Sequence, residues 1–273
     1  MSRDPMTRSE AAVPGIPGGR CGAFGALVLG LAALAYATPA AAQFSAQPVI
    51  LELRTADSAS TTTFSVRNEG EAPLQLRIYA GDFDQPADGG HVFMEPGTHP
   101  RSCVERLRFF PDDIQLDPLQ AGEVRVRMEP GDSTCWSMVF VQSVSRAETG
   151  IQIAQRIGIK VYGFSHRLVP EGEIRGVTVV RDSVVAGLAA FIDFENTGEG
   201  PVRPEGEVEI RTEEGEVVAV LPVAPFSVLP GRVRAVIVPI GAGLAPGRYL
   251  AIPILDFGGD YLAGGQAVFD VGG

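Results

Sequence analysis

The sequence predicts an all-β protein of two β-sandwiches in series, and three observations carry that reading. Apolar and polar residues alternate along most segments, helical spacing is nearly absent, and one turn signature is written twice, as NEGEAP from Asn68 to Pro73 and NTGEGP from Asn196 to Pro201. The two copies stand about one small domain apart, so the chain reads as a duplication.

Each element follows from its own pattern. In TFSVRN, Phe64 and Val66 share a face, and in LQLRIYA Leu74, Leu76 and Ile78 do the same. EVRVRM turns Val124, Val126 and Met128 inward and leaves Arg125 and Arg127 to water. The second half repeats this order. Leu188, Ala190, Ile192 and Phe194 form an inward face before the second turn, VEIRTEEGEVVAVLP reads as a hairpin across Glu214 and Gly215, and VLPGRVRAVIVPI answers LDPLQAGEVRVRM. The first half carries an insertion, roughly GDFDQPADGGHVFMEPGTHPRSC. Alternation stops at SHRLVPEGE, which divides the chain into sandwiches at 43–165 and 166–273. Turn signals at this spacing point to immunoglobulin-like sandwiches; a jelly roll would want one larger domain.

Composition agrees: 273 residues, 45% hydrophobic and only 7% aromatic, with 33 glycines and 21 prolines, suit two modest cores joined by many turns. Residues 1–42 read as a secretory signal, with Arg20 before an apolar run from Ala23 to Tyr36 and the small residues Ala40 and Ala42 placed for cleavage. A membrane anchor is the alternative. A lipoprotein would end its apolar run in cysteine, whereas Cys21 precedes it. The formal net charge is −11, and removing the leader takes away Arg3, Arg8 and Arg20 against Asp4 and Glu10, so the remainder is slightly more acidic. Such a body argues against a nucleic-acid partner. Cys103 and Cys135 remain, and an even pair in an exported chain suggests a disulfide, with buried thiols as the alternative.

Enzyme signatures fail. None of His91, His99 and His166 adjoins a nucleophile motif or pairs at metal spacing, and no phosphate-cradling or dinucleotide fingerprint appears, so no cofactor or metal is expected. Asp82, Asp84 and Asp88 invite a calcium loop, but the spacing fails and a surface hairpin is the default. Trp136, beside Cys135, reads as core packing next to the disulfide.

The chain resembles the periplasmic pilus-assembly chaperones of the PapD-like superfamily. The resemblance rests on the strand and RNEG turn from Phe64 to Gly70, on FFPDDIQLDPLQAGEVRVRM from Phe109 to Met128, on GIQIAQRIGIKVYG from Gly150 to Gly163 and, less closely, on YLAIPILDFGG in the second half. It implies two immunoglobulin-like domains set at an angle, a periplasmic location and no catalysis. It also implies partners: fibre subunits that borrow the first domain's last strand, and an outer-membrane usher. On that strand Ile151, Ile153 and Ile157 share one parity with Ile159, while Gln152, Ala154, Arg156 and Lys160 share the other. Lys160, the single lysine of the chain, falls on the family's lysine position, and Arg54 at the end of PVILELRT is the matching arginine; together they would clamp a subunit's terminal carboxylate. Gln155 stands where the family keeps an aliphatic residue, and Phe164-Ser165 replaces its arginine-proline. An exported structural or adhesive module that keeps the fold without chaperone activity is the alternative function.

Overall fold

The computed structural model describes residues 43–55, 58–144, 154–184, 187–241 and 243–272. The leader expected at 1–42, and Ile151 and Ile153 of the expected lending strand, lie outside the described residues. Among the described residues, no helix is long and apolar enough to cross a membrane.

The first sandwich opposes two sheets. One runs in the order β1 (Phe44–Gln47), β3 (Ser60–Asn68), β8 (Ala121–Met128), β6 (Leu107–Phe110). The other runs β2 (Ile50–Arg54), β10 (Arg156–Phe164), β9 (Cys135–Ser143), β4 (Leu74–Asp84), β5 (Val92–Met94), with β7 (Asp113–Leu116) also on β4. The predicted inward residues Phe64, Val66, Leu76, Val124, Val126 and Met128 meet in its core. The second sandwich opposes a sheet of β11 (Gly172–Asp182), β12 (Gly187–Asn196) and β15 (Val233–Gly241) to one ordered β14 (Val217–Val223), β13 (Glu205–Thr212), β16 (Gly247–Asp256), β17 (Ala263–Gly264), with β18 (Ala267–Val271) also on β16. Ala190, Ile192, Phe194, Val208, Ile210 and Leu255 fill that core. None of these sheets mixes strands up to β10 with strands from β11 onward.

The duplicated turn does the same work in both halves. Asn68 and Asn196 are fully buried at the ends of β3 and β12. The Asn68 side-chain oxygen accepts the Gly70 amide at 2.9 Å, and its amide group donates to Ala72 O at 2.8 Å and Asp117 O at 3.1 Å. Asn196 accepts from Gly198 N at 3.0 Å and donates to Gly200 O at 2.8 Å and Val228 O at 2.9 Å. Each asparagine thus closes its own turn and ties it to a segment that comes later in the chain, satisfying carbonyls that would otherwise be buried alone.

The insertion departs from the expected surface hairpin, because its first residues fasten one sandwich to the other. Gln85 donates to Ser227 O at 2.8 Å and accepts from Leu229 N at 3.0 Å, Ala235 N donates to Ala87 O at 2.8 Å, and Arg232 pairs with Asp84. Leu229 is buried among Phe83, Trp136, Met138, Phe140 and Tyr162. Trp136 therefore belongs to this inter-sandwich cluster and not to the first core. Consecutive strand residues point to opposite faces, so Cys135 turns inward and its neighbour turns toward the second sandwich, donating from its indole to Phe83 O at 3.3 Å. This also explains why β9 is buried along nearly its whole length.

Cys103 and Cys135 form a disulfide within the first core, with Cα atoms 5.3 Å apart. The three aspartates of the insertion go to separate protein partners. Asp82 accepts from Ser102, Ser137 and His99 N, Asp84 takes Arg232, and Asp88 accepts Gly90 N.

Candidate binding cleft

The period of two divides β10 into two working faces. Ile159 and Val161 are buried in the first core and Ile157 packs partly against it. Lys160, Tyr162 and Phe164 point the other way; Tyr162 and Phe164 join the inter-sandwich cluster. The paired β2 presents Ile50, Glu52 and Arg54 on that same face, in parallel register: Lys160 lies opposite Ile50, Tyr162 opposite Glu52 and Phe164 opposite Arg54.

That register separates the two cations expected to act together. Arg54 is four residues farther along than the position facing Lys160, about 13 Å at the strand rise. It lines a cavity of about 240 Å³ with Glu52, Phe164, His166, Arg167, Gly200 and Pro201. Lys160 has other neighbours. Burial pushes its ammonium below the usual lysine range, and Arg234 and Arg203 of the second sandwich add to the depression. The same ground holds His91, lowered by burial and then by Lys160 and Arg234. Burial raises the Tyr162 phenol as well. Lys160 therefore sits in a basic field on an acidic protein, to which residues of β15 and of a loop in the second sandwich contribute.

The Arg234 side chain is held by its surroundings. Its guanidinium occupies the space that a Cβ on Gly89 would fill, so Gly89, at φ +77°, is the residue that lets the arginine pass. Its Nε is buried without a hydrogen-bond partner among the described residues. Sequence reasoning missed Arg234, Arg203 and His91 because nothing local marks them; the charges of Arg234 and Arg203 reach Lys160 from the second sandwich, while His91 reaches it from the insertion of the first.

Beside this cluster, the outer edge of β10 is open. β2 pairs with Lys160 to Phe164 and reaches no farther back, and among the described residues no strand pairs with Arg156 to Ile159 on that side. The Lys160 amide donates across the edge to Val49 O at 2.9 Å, so the alternation of a strand turns the Arg156 and Gly158 amides to the same side. Arg156 is steadied by its side chain, whose guanidinium lies 4.3 Å from the Phe140 ring centroid and 5.1 Å from that of Phe93. Gln155, the polar break in the isoleucine series, accepts from Gln43 N at 3.0 Å and donates its own amide to Ser143.

No family model matches the sequence, and no curated protein matches it. Solved structures do. A chain of a chaperone–tip adhesin complex of CFA/I fimbriae biogenesis is 11% identical with a TM-score of 0.47, over 83% of this chain and 98% of that one. The class 5 fimbriae chaperone CfaA is 10% identical with a TM-score of 0.45, over 82% and 98%. The Pseudomonas aeruginosa CupB2 chaperone is 15% identical with a TM-score of 0.40, over 84% and 99%.

Proposed function

We propose that this protein is an exported chaperone that binds β-rich subunits of a surface fibre by strand addition along the open edge of β10, working in the periplasm after cleavage near Ala42. The observation that carries the reading is the pairing, on one strand, of an edge at Arg156–Ile159 that no strand covers among the described residues with a partly buried cation, Lys160, at the point where that edge closes. An extended partner gains main-chain hydrogen bonds from such an edge, and its alternate side chains gain specificity. A charged group desolvated among other cations is costly unless an anion joins it, so Lys160 fits a partner that brings a carboxylate to the end of the added strand.

On this reading Ile151, Ile153 and Ile157 are the side chains offered to the partner, and Arg54 stands farther along the same face as a second contact. The sandwiches at 43–165 and 166–273 divide the labour, the first offering the strand and both walling the cleft. The fibre subunit is the client, and an outer-membrane usher its receiver. The test is recovery of client from the source periplasm with tagged wild-type protein and with Lys160→Ala. Wild type should retain a small β-rich subunit with an incomplete sandwich, at a level reduced about ten- to hundredfold in the variant, as loss of one charge-assisted bond implies. If no such subunit is retained by wild type, the alternative holds and the protein is a structural or adhesive module.

A further inference from the structure

We infer that Cys135 is the reactive sulfur of the first core, a thiolate site built by Arg106 through which the bond to Cys103 is formed by exchange with an incoming disulfide. The inference is independent of the strand-addition reading, because Cys135 faces the first core and not the cleft.

The two sulfurs of the bond sit in unlike surroundings. The Arg106 guanidinium donates from Nη1 to Cys135 Sγ at 3.2 Å. It is fixed there by Nε to Glu129 O at 3.0 Å, by Nη1 to Ser133 O at 3.3 Å and by Nη2 to Thr55 Oγ1 at 2.6 Å. Gly131 leaves it the space, since a Cβ at that position would stand 2.4 Å from the guanidinium carbon. No ion pair of Arg106 occurs among the described residues: the charge of Asp132 reaches it from the same loop without contact, and Glu129 is matched to Arg127. The guanidinium is therefore free to hold a sulfur anion. Cys103 has the opposite neighbour. Among the described residues no donor reaches its sulfur, and its amide donates to Ser137 Oγ at 2.9 Å, which lies 3.1 Å from the Asp82 carboxylate. Ser102, the preceding residue, donates to that carboxylate at 2.7 Å. A guanidinium thus favours charge on Cys135, while burial in the apolar core and a nearby carboxylate disfavour it on Cys103.

The chemistry that follows is thiol–disulfide exchange. In the reduced chain the Cys135 thiolate attacks one sulfur of an incoming disulfide; a bond from Cys135 to that sulfur forms, the attacked disulfide breaks, and its other half leaves with the electron pair as a thiolate. Cys103 then gives its proton to water and attacks the Cys135 sulfur, which closes the bond seen here and expels the second thiolate. Two protein thiols are oxidised, and one disulfide is reduced to two thiols. Arg106 acts at the first step, because only there does Cys135 carry a charge.

The experiment removes one cysteine at a time from the exported protein. Cys103→Ala and Cys103→Val, two ways of filling the same buried place, leave Cys135 alone, and Cys135→Ala leaves Cys103; circular dichroism identifies the variants that keep their strands. Thiolate formation is followed across pH by ultraviolet absorbance, and mixed-disulfide formation with oxidised glutathione by mass. Cys135 should titrate below the ordinary thiol value of about 8.5 and Cys103 above it, so that at neutral pH Cys135 reacts about tenfold faster or more. Arg106→Gln added to either Cys103 variant should move the Cys135 titration up and slow the reaction about fivefold, and Arg106→Lys should restore part of both. In concentrated urea all the thiols should titrate alike. An Arg106 that served only to hold the loop from Glu129 to Ser133 would leave the titration in place, and its loss would quicken the reaction by opening the loop. That result overturns the assignment. So does a Cys103 that reacts as fast as Cys135, or a Cys135 that titrates in native buffer as it does in urea.

Discussion

Gln85 of the first sandwich holds Leu229 of the second as a neighbouring strand would. Its side-chain oxygen accepts the Leu229 amide at 3.0 Å, while its amide group donates to the carbonyl of Ser227 at 2.8 Å. The contact lies beside the aromatic cluster that buries the Leu229 side chain. One carboxamide thereby satisfies two main-chain groups that the docking of the sandwiches removes from water. Gln85→Leu keeps the volume and strands both groups, so it should destabilise the inter-sandwich contact by roughly 1–3 kcal/mol for each. Denaturant melts of the variant should separate into two transitions, the second sandwich opening from the first. Asp84→Asn, which weakens a partly exposed ion pair, should cost less than about 1 kcal/mol. A single transition in both variants would show that apolar burial alone holds the contact.

The twin asparagines make a matched pair of tests. Asn68→Ala and Asn196→Ala each leave buried carbonyls without donors, and each should destabilise its own sandwich by roughly 2–4 kcal/mol. Asn→Asp at either position keeps the turn oxygen but loses the amide donors and adds a buried charge, so it should be no milder. Thermal unfolding followed by circular dichroism checks both.

How far the fold was legible follows from which interactions are local. The strands were readable because inward residues such as Phe64, Val124 and Ile192 obey a period of two that any stretch of sequence displays. The repeated N-x-G-E-x-P was readable as a turn, and its asparagines turned out to bind distant carbonyls as well. Trp136 was misread although the signal was present: its immediate neighbour is the inward Cys135, and adjacent strand residues cannot share a face. The cleft was half legible. Lys160 stood out by its strand and its uniqueness, whereas the charge of Arg234 reaches it from the second sandwich and that of His91 from the insertion, which no spacing in the chain encodes.

The disulfide closes a loop of 32 residues inside the first core, and its loss should lower stability by roughly 3–4 kcal/mol on the chain-entropy account. The native exported protein should show no alkylatable thiol. Reduction should lower the melting temperature of the first sandwich and leave the second unchanged. Two free thiols in the native protein would contradict the bond.

His91 predicts a pH dependence of fixed sign. Burial, then Lys160 and Arg234, hold its imidazole below the ordinary value of 6.5, and its ring lies beside those of Phe83 and Phe93. Between that lowered value and 6.5 the unfolded chain binds a proton that the folded protein refuses, so stability falls as pH drops through this window. Above 6.5 both states are neutral and the effect vanishes. His91→Gln should flatten this part of the stability curve, read from denaturant midpoints at a series of pH values. An unchanged slope would mean that other groups set it.

Strand addition itself is tested most directly on the backbone of β10. The Arg156 and Gly158 amides face the open edge, where a partner's carbonyls would meet them. Gly158 is unsuited to substitution, since a Cβ there would stand 2.8 Å from the Met138 sulfur. Arg156 is suited, because proline is tolerated on a strand edge whose amide has no partner. Arg156→Pro deletes that amide and also the guanidinium above Phe140 and Phe93; Arg156→Ala removes the guanidinium and keeps the amide. Both variants should fold, each losing about 0.5–2 kcal/mol with the cation–π contact. Only the proline variant should lose client capture, by about fivefold or more, as expected for one main-chain hydrogen bond removed and the register beside it disturbed. Equal capture by the two variants would mean that the partner is held by side chains, and that the open edge is not where it binds.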